Sequence, residues 1–466
     1  MRAKPLSWPE FATRDGMRPM DDARQRMQRL VGRAWDEARS PLYRNAFFIM
    51  LASLIGSLLG FVFLYVVYQT YDLTDAGYAA TMVNTVTFLV GIGSLGMPIA
   101  LVRFLPESDD PSALVNTSLS ISGVLSAALA LAFVVSLGFW SPNLLVVFGH
   151  PVYLLIIPLT AVAYAFGPVL DQAAIALRRA DLFAIRVVLL SVIKVPLPIL
   201  FVTAFATVLG GTLGVYMSWS LSFAVSVIVV GLVLLPRVIP GYRPRPRLSR
   251  RRLRPMFRFS VGNWLAGLIG SAGSLLLTLL IINTLPQATA STATAVYYAV
   301  TVMAGILLVI PQATMTSLYA EASQRNANRR RDERRAIALS IALLIPAIVG
   351  MWVFADVLLR LFEKPTLADL GAQPLRILSL SSIPVFLNSV FGTRVRVRKE
   401  IIPLIVSAAI GSAVTLGLGF VLLESSGLVG LAIAVVIGQA ASTPYLLVVA
   451  GRPMEEEPML APTPRP

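Results

Sequence analysis

Twelve long apolar runs set the limits on what this chain can fold into. Crossing hydrocarbon about 30 Å thick takes about 20 apolar residues at 1.5 Å rise each. Runs of that kind cover roughly 45–69, 77–102, 113–139, 152–176, 182–206, 212–236, 259–283, 293–318, 336–359, 375–393, 401–423 and 427–450. Gly, Ser and Pro occur freely inside them, as in 53-SLIGSLLG-60. Membrane helices tolerate this because neighbouring helices re-satisfy freed backbone groups and small residues let helices approach. A transmembrane barrel would instead show segments of about 10 residues with alternating polarity. A large soluble helical domain is excluded by charge: only 14 % of residues are charged, against about 25 % in a soluble domain.

The basic residues give the orientation. With the N-terminus inside, the inner face receives ten Lys/Arg in residues 1–44, Arg103, Arg178 and Arg179, and nine Arg from Arg237 to Arg258. It also receives six from Arg325 to Arg335, four from Arg394 to Lys399, then Arg452 and Arg465, making 34 of the 39. The outer face gets Arg360, Lys364 and Arg376. This is the positive-inside pattern, and it checks the span count, because one missed helix would invert every later loop. The formal charge of +15 thus comes from topology and anionic-leaflet contact rather than from nucleic-acid binding.

The expected organisation follows: 1–44 a basic inner segment, 45–236 a first six-helix lobe, 237–258 a basic inner linker, 259–450 a second lobe, and 451–466 a disordered inner tail. Within the first segment, 20-MDDARQRMQRLVGRAWDEARS-40 reads as an interfacial helix, with Ala23, Met27, Leu30, Val31, Ala34 and Ala38 forming its apolar stripe. The chain has no Cys, and His150 is its single His, so multi-His metal sites and shared His triads are excluded. No Walker loop and no GxGxxG opening a helix occur. No cofactor or metal is expected. The longest outer loop, about 360–374, is too short for a catalytic domain.

Six spans per half place both halves the same way up, as in transporters built from parallel repeats. Residues 53-SLIGSLLG-60 match 267-GLIGSAGS-274, and Pro98 with 104-FLPES-108 matches Pro311 with 318-LYAEA-322, at an offset near 214 residues. The expected fold is therefore an all-α polytopic membrane protein, its two six-helix lobes surrounding a central cavity. Over about 42–450 the chain resembles the polysaccharide exporter family, the O-antigen-type flippases of the multidrug/oligosaccharidyl-lipid/polysaccharide exporter superfamily. The resemblance is carried by 71-YDLTDAGYAATMVNTVTFLVGIGSLGMPIALVRFLPE-107, 257-FRFSVGNWLAGLIGS-271 and 297-YYAVTVMAGILLVIPQATMTSLYAEAS-323. It implies a monomeric, non-enzymatic flippase of the cytoplasmic membrane, both termini inside. It would move a polyprenyl-diphosphate-linked oligosaccharide outward for surface polysaccharide such as lipopolysaccharide, with membrane lipids and glycan-assembly enzymes as partners.

Charges inside a bilayer need a partner or a watery cavity. Lys194, about twelve residues into the fifth span, lies beside Pro196 and Pro198, which can break the helix. It is the first candidate for neutralising a diphosphate, with structural pairing to a carboxylate as the competing reading. Arg186 is a second candidate, although folding spans four and five together sets it level with Asp171, which suggests a clamp. Arg103 and the run 394-RVRVRK-399 read as topogenic anchors or as diphosphate capture at the cavity mouth. Asn84, Gln172, Asn263, Gln312, Asn388 and Gln439 suit either sugar hydroxyls or interhelical bonds.

Two other functions compete. An ion-coupled drug exporter of the same superfamily wants a buried carboxylate in the first lobe, where Asp171 is the only deep one. A membrane glycosyltransferase or polymerase wants a substantial loop carrying charged groups. Topology reporters fused after residues 145 and 287 should read external. Inner-face signals at either position would overturn the span assignment.

Overall fold

The computed structural model describes residues 41–248, 250–322, 329–398 and 400–452. The interfacial helix expected over 20–40 and the tail from 453 onward lie outside the described residues. Every described element is helical, and ten helices are long and apolar enough to cross a membrane.

In the first half these are α1 (Pro41–Thr70), α2 (Leu73–Gly93), α3 (Pro111–Val135) and α4 (Tyr153–Ala176), then α5 (Ala180–Ala204) and α6 (Thr212–Arg237). The second half has α7 (Arg254–Thr284), α8 (Gln287–Ala322) and α9 (Arg329–Val353), and α10 (Pro365–Arg396). The apolar part of α9, Ile337–Val353, is short, and a further helix, Ala355–Arg360, extends it. The 50-residue helix Ile402–Gly451 is two spans, α11 and α12, joined at Gly427, whose φ of 58° and ψ of −142° are non-helical. Glycine reaches that region without steric cost. Twelve crossings result, six in each half.

Two boundaries differ from the sequence expectation, each for a local reason. The second span was expected to run to 102, but α2 stops at Gly93. Leu95 and Gly96 both have positive φ, and a short helix, Met97–Phe104, restarts with Pro98 in its first turn. The outer loop expected over 360–374 is only a short turn. Pro365 opens α10 there, because proline lacks the donor that a first turn leaves unused anyway.

In the first half α1 packs on α5 and α3 on α4, with α6 against both α4 and α5. In the second, α7 and α10 both pack on the kinked helix that makes up α11 and α12. The stretch between α6 and α7 is tied to the first lobe: Asn116 Nδ2 donates to the Arg243 carbonyl at 2.8 Å, and Arg247 N to Ser120 Oγ at 3.0 Å.

The halves meet chiefly where α2 crosses α8. At the end opposite the basic linker a set of hydrogen bonds sews them together. Tyr68 Oη donates to the Ala295 carbonyl at 2.6 Å, and Gln69 Nε2 to the Phe362 carbonyl at 2.6 Å. Asn143 Nδ2 donates to the Ile282 carbonyl at 2.6 Å, Ser141 Oγ to Asn283 Oδ1 at 2.7 Å, and Asn283 Nδ2 to the Trp140 carbonyl at 3.0 Å. Phe362 sits amid Phe61, Tyr65 and Tyr68, with ring centroids 5.4–5.8 Å away. Tyr68 and Tyr297 are buried here.

The crossing depends on Gly77. A Cβ at that position would lie 1.8 Å from the Ser291 carbonyl oxygen. Gly77→Val should therefore push α2 from α8, at the overpacking cost of about 1–3 kcal/mol. A thermal melt in detergent would register this as a clear drop in Tm, and an unchanged melt would show that the helices do not meet as described.

Candidate functional site

A cavity of about 710 Å³ lies within the second lobe, between α7, α10, α11 and α12. That size falls in the range of small-ligand sites, about 300–1,000 Å³. The space exists because the helices present little bulk to it. Gly267, Gly270, Gly392 and Gly411 all line it, and a Cβ at Gly267 would meet nothing within 4 Å.

Its polar lining comes from three amides and several hydroxyls, among them Asn263, Asn388, Gln439, Ser407 and Ser442. Asn388 is held from both ends. Its Nδ2 donates to the Gln439 carbonyl and to Ser442 Oγ, each at 2.9 Å, and its Oδ1 accepts from Thr443 Oγ1 at 2.9 Å. This network fixes α10 against α12. Asn263 and the Gln439 side chain are half-buried and face the cavity. Arg396, exposed at the last turn of α10, is the one charged residue of the lining. Among the described residues no carboxylate faces it.

Lys194 lies elsewhere, inside the first lobe. The α-helical pattern stops at this residue and resumes at Leu197, beyond Pro196. Its Nζ stands 5.2 Å from the Phe63 ring centroid and 4.9 Å from that of Trp219, a spacing at which aromatic faces attract a cation. The residue is only 6 % exposed, and among the described residues no carboxylate pairs with it. Trp219 in turn contacts Tyr298 of the second half, with ring centroids 6.3 Å apart. The space beside these rings is nearly closed, about 20 Å³.

Arg186 is also separate from the cavity. Its Nε and Nη2 each donate to Asp171 at 2.5 Å, and both residues are buried. Nη1 is buried without a hydrogen-bond partner, near the Phe223 ring at 5.2 Å. A guanidinium engaged in this way is not offered to a diphosphate, so the clamp describes its geometry. Arg103 is exposed and donates to Glu107 at 2.8 Å, one turn along. Asn84 donates to Thr278 Oγ1 at 3.4 Å, a weak bond between the halves. Gln172 is half-buried on α4, away from the cavity lining. The Gln312 side chain lies outside the described residues. In the turn between α4 and α5, the Asp181 carboxylate holds the Arg179 guanidinium above its ordinary range through a two-pronged hydrogen bond.

The sequence candidates thus divide. Asn263, Asn388 and Gln439 come together, and Lys194, Arg186, Asp171 and Arg103 do not join them. Sequence reasoning treated Arg396 only as part of a basic run and did not see the glycine and serine lining. The signal was present in 263-NWLAGLIG-270, where Asn263, Gly267 and Gly270 recur at helical spacing.

A two-lobed bundle of twelve membrane helices, sewn together at one end and enclosing a polar cavity, is the layout of a membrane transporter. The chain belongs to the polysaccharide biosynthesis protein family, whose profile matches residues 42–319. No curated protein matches it. Among solved structures it is similar to an inward-facing multidrug resistance MATE family transporter of the MOP superfamily, with a TM-score of 0.66 and 15 % identity over 86 % of this chain and 97 % of that one. The outward-facing form of a MATE family transporter gives 0.59 at 15 % identity, covering 88 % and 94 %. A MATE in the straight conformation gives 0.58 at 16 %, covering 88 % and 94 %. The fold is thus shared with MATE transporters.

Breaking the Asp171–Arg186 clamp tests its structural role. Asp171→Asn leaves a buried guanidinium uncompensated and should cost about 3–5 kcal/mol. Replacing both residues with leucine should recover most of that loss of melting stability. If the single variant melted like the parent, the pair would hold nothing together.

Proposed function

We propose that the protein is an exporter that moves a lipid-linked oligosaccharide, typically polyprenyl-diphosphate-linked, across the cytoplasmic membrane during surface polysaccharide assembly. The observation that carries this reading is the composition of the cavity: amides, hydroxyls and a single cation in an otherwise apolar lobe. Sugars present many hydroxyls, each both donor and acceptor, and amide side chains answer both roles. A drug site, by contrast, is lined mostly by apolar and aromatic groups. An ion-coupled site would use a free buried carboxylate, and Asp171 is occupied by Arg186.

In this reading the basic face is cytoplasmic and the second-lobe cavity receives the sugar from that side. The opposite end is closed by the bonds of Tyr68, Asn143 and Asn283. Opening those bonds and closing the basic side would release the sugar outward, while the lipid tail stays in the bilayer. Lys194 belongs to the first lobe's share of the path. A cation held by two rings and no carboxylate is a place that an anion gains by approaching.

The test is transport itself. In vesicles carrying the full chain, a polyprenyl-diphosphate oligosaccharide should cross leaflets, and in cells Lys194→Ala should leave lipid-linked glycan accumulating inside with none outside. Survival of transport, with only the folding yield reduced, would make Lys194 structural. Movement of cationic drugs but no glycolipid would refute the reading as a whole.

A further inference from the structure

The second-lobe cavity is polarised along the membrane normal. Its one charge, Arg396, stands at the basic end of α10, beside Leu404 near the start of α11. At the other end lie Val385 and Ser412. Eleven residues of helix separate Val385 from Arg396, about 16 Å at 1.5 Å each, which is roughly half the hydrocarbon thickness. The lining between them offers amides, hydroxyls and glycines, and no acid.

We propose that this cavity is a two-part site for a phosphate-linked glycan, with neutral sugar rings in the deep part and the phosphate or diphosphate held at the rim by Arg396. The inference deepens the reading above and rests on it for the lipid-linked source of the ligand. A guanidinium presents its N–H groups as a rigid fork that matches two phosphate oxygens at once, and it keeps its charge under all ordinary conditions. Among the described residues no carboxylate competes for Arg396, unlike Arg103, Arg179, Arg186 and Arg376, each of which is paired with an acid.

The order of the two parts follows from desolvation. A phosphate carried to the level of Val385 would leave water for a region without a cation, at high cost. Sugar hydroxyls at the same level meet Gln439, whose side chain makes no hydrogen bond to protein among the described residues. Asn263 serves the ring nearer the rim, since it follows Gly262, where a Cβ would lie 2.6 Å from Ile401. The ligand therefore enters sugar first, and its charge stays at the depth of the lipid head groups. Selectivity follows as well: an acidic sugar in the deep part has no partner, so the leading rings are neutral.

Calorimetric titration of the full chain in lipid nanodiscs tests this with three probes: farnesyl diphosphate bearing a neutral disaccharide, farnesyl diphosphate alone, and the soluble disaccharide 1-phosphate. The disaccharide should raise affinity over bare farnesyl diphosphate by about tenfold or more, the worth of two or three neutral hydrogen bonds. Gly267→Leu fills the deep part without a backbone clash and should abolish that gain while leaving bare farnesyl diphosphate unchanged. Arg396→Gln should weaken every phosphate probe by about tenfold or more, and Arg396→Lys should restore part of it, as a point charge without the fork. A wild-type protein that binds both farnesyl probes equally would overturn the proposal, as would variants that fold, melt normally and bind like the parent. If the soluble phosphate binds as tightly as the lipid-linked probe and responds to both variants, the site stands and the lipid-linked reading falls. If lipid-linked glycan crosses vesicles while neither variant alters binding, the reading stands and this site falls.

Discussion

Hydrocarbon offers a polar group no partner, and that constraint sorts every hydrophilic side chain in the bundle. Most hydroxyls satisfy themselves within their own helix. Thr81, Thr85 and Ser218 donate to carbonyls one turn back at 2.8–3.0 Å. The buried acid Asp171 and buried base Arg186 cancel each other. Asn388 and Thr443 spend their bonds on joining two helices. Among the described residues some groups are left as single buried atoms without a partner, such as Arg186 Nη1, Tyr242 Oη and Thr415 Oγ1. The Asn263 and Gln439 side chains face the second-lobe cavity, and the Lys194 ammonium faces two aromatic rings.

The two lobes share a plan and differ in what fills it. α1 packs on α5 through Gly56, where a Cβ would lie 3.0 Å from Val187 and 3.9 Å from Ser191 Oγ. α7 packs on α11 through Gly270, where a Cβ would lie 3.7 Å from Ala408, and through Gly273 against Ser412. Gly56 and Gly270 stand 214 positions apart, the offset found in the sequence. In the first lobe, however, Phe63 and Trp219 fill the centre and close around an ammonium group. In the second, glycine, serine and amide side chains leave it open. A duplicated bundle has thus become a pair of unlike halves, one dense and aromatic, the other hollow and lined by polar groups.

This difference explains what the sequence made legible. Hydropathy and the placement of arginines sufficed for twelve crossings, because both reflect a solvent that acts on each helix separately. The break after Lys194 was readable from Pro196 and Pro198, and the Asp171–Arg186 pair from the tight turn between α4 and α5. The cavity was not readable in the same way. Whether Asn263 faces a void, and whether Lys194 faces an acid or a ring, depends on which helices become neighbours and how closely they pack. The early end of α2 was hidden for a similar reason: the chain turns at Leu95 and Gly96 against Ser260 and Trp264 of α7, residues more than 160 positions away. Trp264 Nε1 in turn donates to the Gly91 carbonyl at 2.7 Å.

The seal opposite the basic face is made entirely of neutral groups: a phenol, amides, a serine and backbone carbonyls. Each such bond contributes about 0.5–1.5 kcal/mol net, so the five together amount to a few kcal/mol. That is of the order needed to shift a two-state equilibrium from one side to the other, about 5.5 kcal/mol for a full reversal. A ligand that binds one state better by this much can therefore supply the difference. None of the five bonds contains a group that titrates near neutral pH, so protonation of the seal itself is not what opens it. Coupling to an ion would then act away from the contact that separates the two faces, and the charged groups described inside the lobes include Lys194, the Asp171–Arg186 pair and, at the rim of the second-lobe cavity, Arg396.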